Sequence, residues 1–180
     1  MTSAVDVSVF DVIAGEAVAE SPLWAEALRP PERRDPLPVF SPLVPDPGLA
    51  LGVETIYEGY LVHYGRARLF TPSDADTALL LGDYLYAHGL VRVAATGNVE
   101  AVRDLAELIS LCAQGRANRR AGDGEAWAAT ASLLGAGGLE AGRAALRDRA
   151  DAAVLLEAAR VAVGPDAVQR ALGVHRRLAP

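Results

Sequence analysis

The stretch that decides the fold runs from Leu79 to Gly115 and reads LLLGDYLYAHGLVRVAATGNVEAVRDLAELISLCAQG. Its apolar residues recur every three or four positions, which is the period of an α-helix with one buried face. Gly97 and Asn98 interrupt this pattern, since glycine commonly ends a helix and asparagine is a good N-cap for the next one. The stretch therefore predicts two consecutive helices, near residues 75–95 and 99–114.

The two predicted helices present different apolar faces. The first has a broad face formed by Leu81, Tyr84, Leu85, His88, Val91 and Ala95. The second has a narrow seam formed by Val102, Leu105, Ile109 and Cys112. A seam this narrow, flanked by charged residues, is typical of a contact between two helices.

Upstream of this stretch, the pattern predicts short helices and then an extended strap. Residues 5–19 are loosely apolar, and Ser21 followed by Pro22 is typical of the N-cap and first position of a second helix. Seven prolines then fall within residues 30–47, a density that no helix tolerates. We therefore predict a single domain with three parts, which are N-terminal helices in 1–29, a Pro-rich strap in 30–48 and a helical core in 49–180.

Further helix boundaries follow from capping residues and periodicity. Thr71 and Pro72 are predicted as the N-cap and first residue of the helix that contains Leu79. Downstream, apolar periodicity predicts helices near residues 125–134, 139–163 and 165–177. No segment shows the alternation of a β-strand, and the dominant Ala and Leu favour helices. The predicted fold is all-α, a compact antiparallel helical bundle with short loops.

Composition and charge exclude several classes of function. The formal net charge is −6 and the 17 basic residues, all arginine, are scattered, so no nucleic-acid surface is predicted. The single cysteine, Cys112, excludes an intrachain disulfide and a thiolate metal cage, and its apolar position predicts a small buried side chain. The first residues lack the basic region of a signal peptide, and no apolar run is long enough to cross a membrane. We therefore expect a cytoplasmic protein without a transmembrane segment.

Motifs for catalysis or metal binding are weak. The three histidines do not occur at a metal-ligand spacing, and His88 is predicted to be a core histidine. Asp148 and Asp151 share a helix face that could hold a divalent cation, but Arg147 and Arg149 beside them favour an exposed ion-pair face. Neither a phosphate-binding glycine loop nor a nucleophilic serine motif occurs in the sequence.

The stretch from Leu79 to Gly115 resembles the middle of the trans-polyprenyl diphosphate synthase family. Members of that family read approximately L-x-G-D-[FY]-L-[YL]-A, followed at a short distance by Gly-Asn and a second helix. This chain matches the pattern at Leu81, Gly82, Asp83, Tyr84, Leu85, Tyr86 and Ala87, and again at Gly97 and Asn98. In that family the glycine lies where two long helices approach closely, and the resemblance implies the same for Gly82.

The resemblance also indicates what this chain lacks. Upstream, the family has an apolar helix that ends in Leu-[IV]-His-Asp-Asp-x-x-Asp, and its aspartates hold Mg²⁺ against the substrate diphosphate. Here His63 is retained, but Tyr64, Gly65 and Arg68 stand at the aspartate positions, and these residues are not Mg²⁺ ligands. The second aspartate motif of the family has no secure match, since residues 147–151 carry an arginine in place of one acid. The basic site for the second substrate is also absent.

A synthase-like chain without metal ligands implies a non-catalytic subunit. In heteromeric members of the family, a large subunit carries both aspartate motifs, while a small partner completes the helical interface and helps to set product length. The resemblance implies that this chain binds no cofactor itself and that a catalytic large subunit, in a heterodimer or heterotetramer, holds the Mg²⁺ for isoprenoid biosynthesis of the prenyl-quinone type. The family dimerises through its central helices, which makes Val102, Leu105 and Ile109 the interface candidates.

Two other functions remain open at this point. The chain could be a divergent stand-alone prenyltransferase that uses carboxylates such as Asp83, Asp148 and Asp151. It could also be a helical protein–protein interaction module unrelated to isoprenoids. A neighbouring gene that encodes a complete synthase would favour the subunit, and turnover by the purified chain alone would favour the enzyme.

Overall fold

The described fold consists of α-helices, which are joined by loops and by one long Pro-rich segment between α2 and α3. The structure, a computed structural model, describes residues 8–179, so the part of the first predicted helix in residues 5–7 lies outside the described residues. Within the described range the helices are α1 (Val9–Glu20), α2 (Pro22–Ala27), α3 (Ala50–Tyr64), α4 (Ala75–Ala95), α5 (Val99–Ala117), α6 (Asp123–Ser132), α7 (Glu140–Arg149), α8 (Ala153–Val163) and α9 (Pro165–Leu178). None of these helices combines the length and apolar content that a membrane crossing requires. The all-α prediction is confirmed.

The contact between α3 and α4 is the most extensive between any two helices described, and four glycines make it possible. The two helices run antiparallel, with Gly52 close to Gly89 and Gly59 close to Gly82. A Cβ atom on Gly59 would stand 2.9 Å from the Gly82 carbonyl oxygen, and one on Gly89 would stand 2.9 Å from the Gly52 carbonyl oxygen. In each helix the two glycines are seven residues apart, nearly two full turns, so they face the same way. The two backbones therefore touch, and the close approach expected at Gly82 is observed.

The buried face of α4 follows these glycines and differs from the predicted face. The buried residues of α4 are Leu81, Gly82, Leu85, Gly89 and Val93. Val91 was expected on the buried face but is 65% exposed, and Ala95 is exposed as well. His88 is half-buried at the surface with its Nε2 3.0 Å from Glu16 Oε2, so the prediction of a core histidine is wrong. The apolar pattern predicts the wrong buried face of α4, because its glycines have no side chain and are not counted as apolar positions.

α3 lies at the centre of the molecule. All of its residues from Gly52 to Leu61 are buried. It packs into a main core with α5, α6, α8 and α9, while a second, smaller core forms among α1, α2, α4 and the segment at Leu69 and Phe70. Because α3 is surrounded, its two acidic residues, Glu54 and Glu58, are fully buried as well.

The Pro-rich segment of residues 30–48 crosses the helical core without forming an α-helix. It contains three short 3-10 turns, at Pro31–Arg33, Ser41–Leu43 and Pro47–Leu49. Val39, Phe40 and Leu43 are buried in the main core. The strap is thus an integral layer of the domain.

The start of α4 differs from the prediction. The N-cap is Asp74, whose Oδ1 accepts the Thr77 N–H at 2.7 Å. Thr71 is not the cap, because its own N–H donates to the Ala27 carbonyl oxygen at 2.7 Å. This bond belongs to an isolated antiparallel bridge between Leu28 and Phe70, which keeps the residues around Thr71 extended.

The helix predicted over residues 139–163 is broken into α7 and α8. Ala150 ends α7 in the left-handed conformation, with a φ of 55°, and its N–H donates to the carbonyl oxygen of Leu146. The break turns α8 back so that Leu155 packs against Gly142, where a Cβ atom would stand 2.7 Å from Leu155 Cδ2. Residues 139–163 are apolar at helical spacing throughout, so periodicity alone does not reveal the turn.

The glycine contact between α3 and α4 predicts a large difference between glycine variants. We expect Gly89→Ala to lower the free energy of unfolding by about 1–3 kcal/mol, because the new methyl group forces two packed backbones apart. Urea unfolding followed by circular dichroism measures this change.

Gly15→Ala is the matched control, since no atom lies within 4 Å of a Cβ at this helical position. There we expect stabilisation of up to about 1 kcal/mol from helix propensity. Equal effects of the two substitutions would show that the close approach of α3 and α4 is not tight.

Candidate functional site

Tyr64 and Gly65, which stand where the resembled family has aspartates, are packing positions at the end of α3. Tyr64 is the last residue of α3, and its ring packs against those of Tyr60 and His63 at centroid distances of 5.4 and 5.5 Å. Burial raises the pKa of the Tyr64 hydroxyl, which therefore stays neutral at ordinary pH. Gly65 follows the helix, and a Cβ atom there would stand 2.5 Å from the carbonyl oxygen of Leu178. Neither position offers a ligand to a cation.

The third position, Arg68, is enclosed between two glutamates of α3. Its Nη1 donates to Glu54 Oε2 at 2.6 Å and its Nε donates to Glu58 Oε2 at 2.9 Å. All three side chains are fully buried. Burial by itself would lower the pKa of Arg68, but Glu54 and Glu58 raise it, so the guanidinium stays charged. We call these three residues the Arg68 triad.

The Arg68 triad also holds the Pro-rich strap. Glu54 Oε1 accepts the N–H groups of Val39 and Ser41 at 3.1 and 3.2 Å. Arg68 Nη1 donates to the Leu37 carbonyl oxygen at 2.8 Å. The buried charges are therefore hydrogen-bonded on several sides, which is the condition for a buried ion pair to be tolerated.

The residues of the family-like block join α4 to its neighbours. Gly82 makes room for His63, since a Cβ atom on Gly82 would stand 2.6 Å from His63 Cδ2. His63 Nε2 lies 3.2 Å from Oδ1 of Asp83, which is itself exposed. Tyr84 stacks on Trp24 with a centroid distance of 5.7 Å, and Leu85 is buried in the smaller core.

The three interface candidates on α5 do not share one environment. Val102 and Ile109 are half-buried and pack at the edge of the main core. Leu105 is 1% exposed and belongs to the chain's own core. Leu105 is therefore corrected from an interface candidate to a core residue, because the seam of α5 faces the rest of this chain.

A group of hydrogen-bonded polar side chains lies where α3, α5, α6 and α9 meet. Arg116 Nε donates to Asp123 Oδ2 at 2.8 Å, and the Tyr60 hydroxyl donates to the same oxygen. The Tyr57 hydroxyl lies 3.0 Å from His175 Nδ1. His175 Nε2 stands 3.7 Å from Asp123 Oδ1, beyond hydrogen-bond distance. We call these five residues the Asp123 cluster.

Electrostatics fix the charge states of several members of the Asp123 cluster. Burial alone would raise the pKa of Asp123, but the neighbouring His175, the Tyr60 hydroxyl and the charge of Arg116 together hold it well below its ordinary value. Burial raises the pKa values of Tyr57 and Tyr60, and the charge of Asp123 raises them further. The cluster therefore contains an ionised carboxylate, a guanidinium and two neutral phenols, with a histidine at its edge.

The other residues that the sequence suggested for catalysis or metal binding do not form a common site in the described structure. Among residues 8–179, no group of three or more His, Cys, Asp and Glu side chains is placed to hold a metal ion. Asp148 and Asp151 are exposed, and Asp151 Oδ1 accepts the Ala153 N–H at 3.0 Å. Cys112 is buried as predicted, and burial raises the pKa of its thiol, which makes it a poor nucleophile.

Neither the Arg68 triad nor the Asp123 cluster is predicted from the sequence, although the triad has a recognisable pattern in the sequence. Glu54 and Glu58 are four residues apart in an otherwise apolar helix, which is the spacing of two acids on one face that share a buried cation. The Asp123 cluster left no comparable signal, because Tyr57 and His175 are 118 residues apart in the chain.

Comparison with known proteins does not assign the chain to a family. No family model, no curated protein and no solved structure matches the chain.

The Asp123 cluster predicts a specific pH dependence of stability. Because the folded protein lowers the pKa of Asp123 below its ordinary value of 3.8, the ionised carboxylate stabilises the fold above about pH 4. This contribution is lost as the pH falls below the ordinary value towards the lowered one. We expect Asp123→Asn to reduce the free energy of unfolding at pH 7 by about 1–3 kcal/mol, and this deficit to shrink below about pH 4.

Asp148→Asn is the control for this measurement, since Asp148 is exposed and its replacement should change stability by less than about 0.5 kcal/mol at any pH. Urea titrations between pH 3 and pH 7 distinguish the two variants. An Asp123→Asn deficit that stays constant across this range would contradict the assigned charge state.

Proposed function

We propose that this chain is the non-catalytic small subunit of a heteromeric trans-prenyl diphosphate synthase. The observation that carries the proposal is the role of Arg68, which stands at an aspartate position of the family that it resembles. Arg68 is a buried structural cation bonded to Glu54 and Glu58. A chain whose residue at this position is buried in its own core has no metal ligand there. It would therefore depend on a partner for the metal-dependent step. The catalytic large subunit would hold the Mg²⁺, and the complex would work in the cytoplasm.

An exposed stripe on α4 supports a helical partner. Leu80, Ala87, Val91 and Ala94 are exposed and follow each other at steps of three, four or seven residues, which places them on one side of the helix. Leu80 is 56% exposed and Val91 is 65% exposed. Asp83 is the charged residue within this stripe. In the family that the chain resembles, this helix lies at the subunit interface, so the stripe replaces Leu105 as a candidate contact.

The assembly experiment co-expresses the chain with a trans-prenyl diphosphate synthase that carries both aspartate motifs, and it measures complex formation and prenyl transfer. We expect Leu80→Asp and Val91→Asp to weaken the complex by at least about tenfold, because burying an unpaired charge costs several kcal/mol. Both side chains are exposed, so the fold should be retained, and helical circular dichroism checks this.

Val161→Asp is the matched control, since Val161 is 78% exposed on α8 and lies outside the α4 stripe. A complex that tolerates all three substitutions equally would exclude the α4 interface. Failure of the chain to bind the synthase would favour the unrelated interaction module, and chelator-sensitive turnover by the chain alone would favour the stand-alone enzyme.

The Arg68 triad predicts the outcome of restoring the family's aspartates. We expect Arg68→Asp to lower the free energy of unfolding by at least about 3–5 kcal/mol, because it leaves three acids in the core without a cation. Tyr64→Asp is the milder comparison, since Tyr64 is half-buried at the helix end. Thermal unfolding followed by circular dichroism compares the variants. A folded Arg68→Asp protein with Mg²⁺-dependent turnover would contradict the structural role and the proposed function together.

A further inference from the structure

A cleft with a volume of about 680 Å³ opens beside the Asp123 cluster. Its walls are the end of α5, the loop of residues 118–122, the first turn of α6 and the last turns of α9. Four arginines line it, namely Arg116, Arg119, Arg120 and Arg176, together with two carboxylates, Asp123 and Glu125. The cleft thus has a local excess of positive charge in a chain whose net charge is −6.

The arginines of the cleft differ in what they already bind. Arg116 is engaged with Asp123 and Tyr60, and Arg120 donates to the Arg147 carbonyl oxygen. Arg119 and Arg176 are exposed, and no carboxylate among residues 8–179 lies within ion-pair distance of either. Two guanidinium groups at the rim of the cleft are therefore available to a ligand.

A buried histidine at the base of the cleft lacks a hydrogen-bond partner. His175 is 3% exposed, and its Nε2 is buried without a hydrogen bond among the described residues, at 3.7 Å from Asp123 Oδ1. Its Nδ1 faces the Tyr57 hydroxyl, which keeps its proton because burial raises its pKa. When Tyr57 donates to Nδ1, the ring proton lies on Nε2, which becomes an unused N–H donor. Buried donors are normally hydrogen-bonded, so we expect a ligand or an ordered water at this N–H group.

The backbone of α6 adds to the same region. Its N-cap is Gly122, with a φ of 114° and no capping side chain, and Asp123 Oδ1 accepts the Gly124 N–H in the first turn at 3.0 Å. Gly124 allows α9 to approach, since a Cβ atom there would stand 2.8 Å from His175 Cδ2. His175 and the two rim arginines therefore line one cleft.

We propose that this cleft binds the phosphate group of a small molecule without a metal ion. Guanidinium groups donate paired hydrogen bonds to phosphate oxygens, so Arg119 and Arg176 are suited to hold this group. Asp123 does not oppose binding, because its charge is already compensated by Arg116 at 2.6 Å. The residues that carry the site are Arg119, Arg176 and His175. The inference concerns this chain alone and does not depend on a synthase partner.

Titration calorimetry with inorganic phosphate and with pyrophosphate tests the site, in the presence of a chelator and at matched ionic strength. We expect saturable binding of at least one of these anions to the wild-type chain. The double variant Arg119→Gln with Arg176→Gln should bind at least about tenfold more weakly, because two charge-assisted contacts are lost. Arg170→Gln is the matched control, since Arg170 is also exposed on α9 but does not line the cleft, and it should bind as the wild type does.

The ring nitrogen resonances of His175 provide a second readout on the wild-type chain. Anion binding in the cleft should shift the Nε2 resonance with the same saturation as the calorimetric signal. Absence of saturable binding, binding unchanged by the double variant, or binding that leaves His175 unmoved would each overturn the proposal. Because no partner takes part, these outcomes leave the subunit assignment untouched.

Discussion

The centre of the structure depends on the buried guanidinium of Arg68. Arg68 reaches back into the centre of the molecule and neutralises two glutamates that α3 brings into the core. Without it, Glu54 and Glu58 would be like charges in a medium that solvates neither, and α3 could not occupy the middle of the bundle. The same three side chains bind backbone groups of the strap and of Leu69. The Arg68 triad thus connects the central helix to two segments that contain no α-helix.

The opposite requirement governs the face of α3 that meets α4. There the helices need small residues, because Gly52, Gly59, Gly82 and Gly89 let the backbones touch. The two faces of α3 therefore impose different tolerances on the sequence. On one face a side chain cannot be removed, and on the other a side chain cannot be added. Together they hold α3 in a fixed position, and this places Tyr57 and Tyr60 against α6 and α9.

Local patterns were enough to predict the helical fold, the caps at Ser21 and Asn98 and the burial of Cys112. They were less reliable where a feature depends on distant residues. The break at Ala150 follows from the packing of Leu155 on Gly142, and the exposed side of α4 follows from glycines that periodicity does not count. For the candidate site, the absence of aspartates at Tyr64, Gly65 and Arg68 was visible in the sequence, whereas the burial of Arg68 and the meeting of Arg116, Asp123 and His175 required the tertiary structure.

The Arg68 triad and the Asp123 cluster differ in how many residues of the chain separate the side chains that they bring together. Arg68 lies 14 residues from Glu54 and 10 from Glu58, whereas the Tyr57 contact with His175 spans 118 residues. Closing a longer loop costs more conformational entropy, and contacts between distant residues form more slowly. We expect the surroundings of α3 to become ordered early, and α9 to dock late and to open first under mild destabilisation. Native-state hydrogen exchange would resolve this order, as faster exchange in α9 than in α3. The cleft beside the Asp123 cluster, which α9 completes, would then exist only while that helix is docked. A ligand in the cleft would therefore also stabilise the docked position of α9.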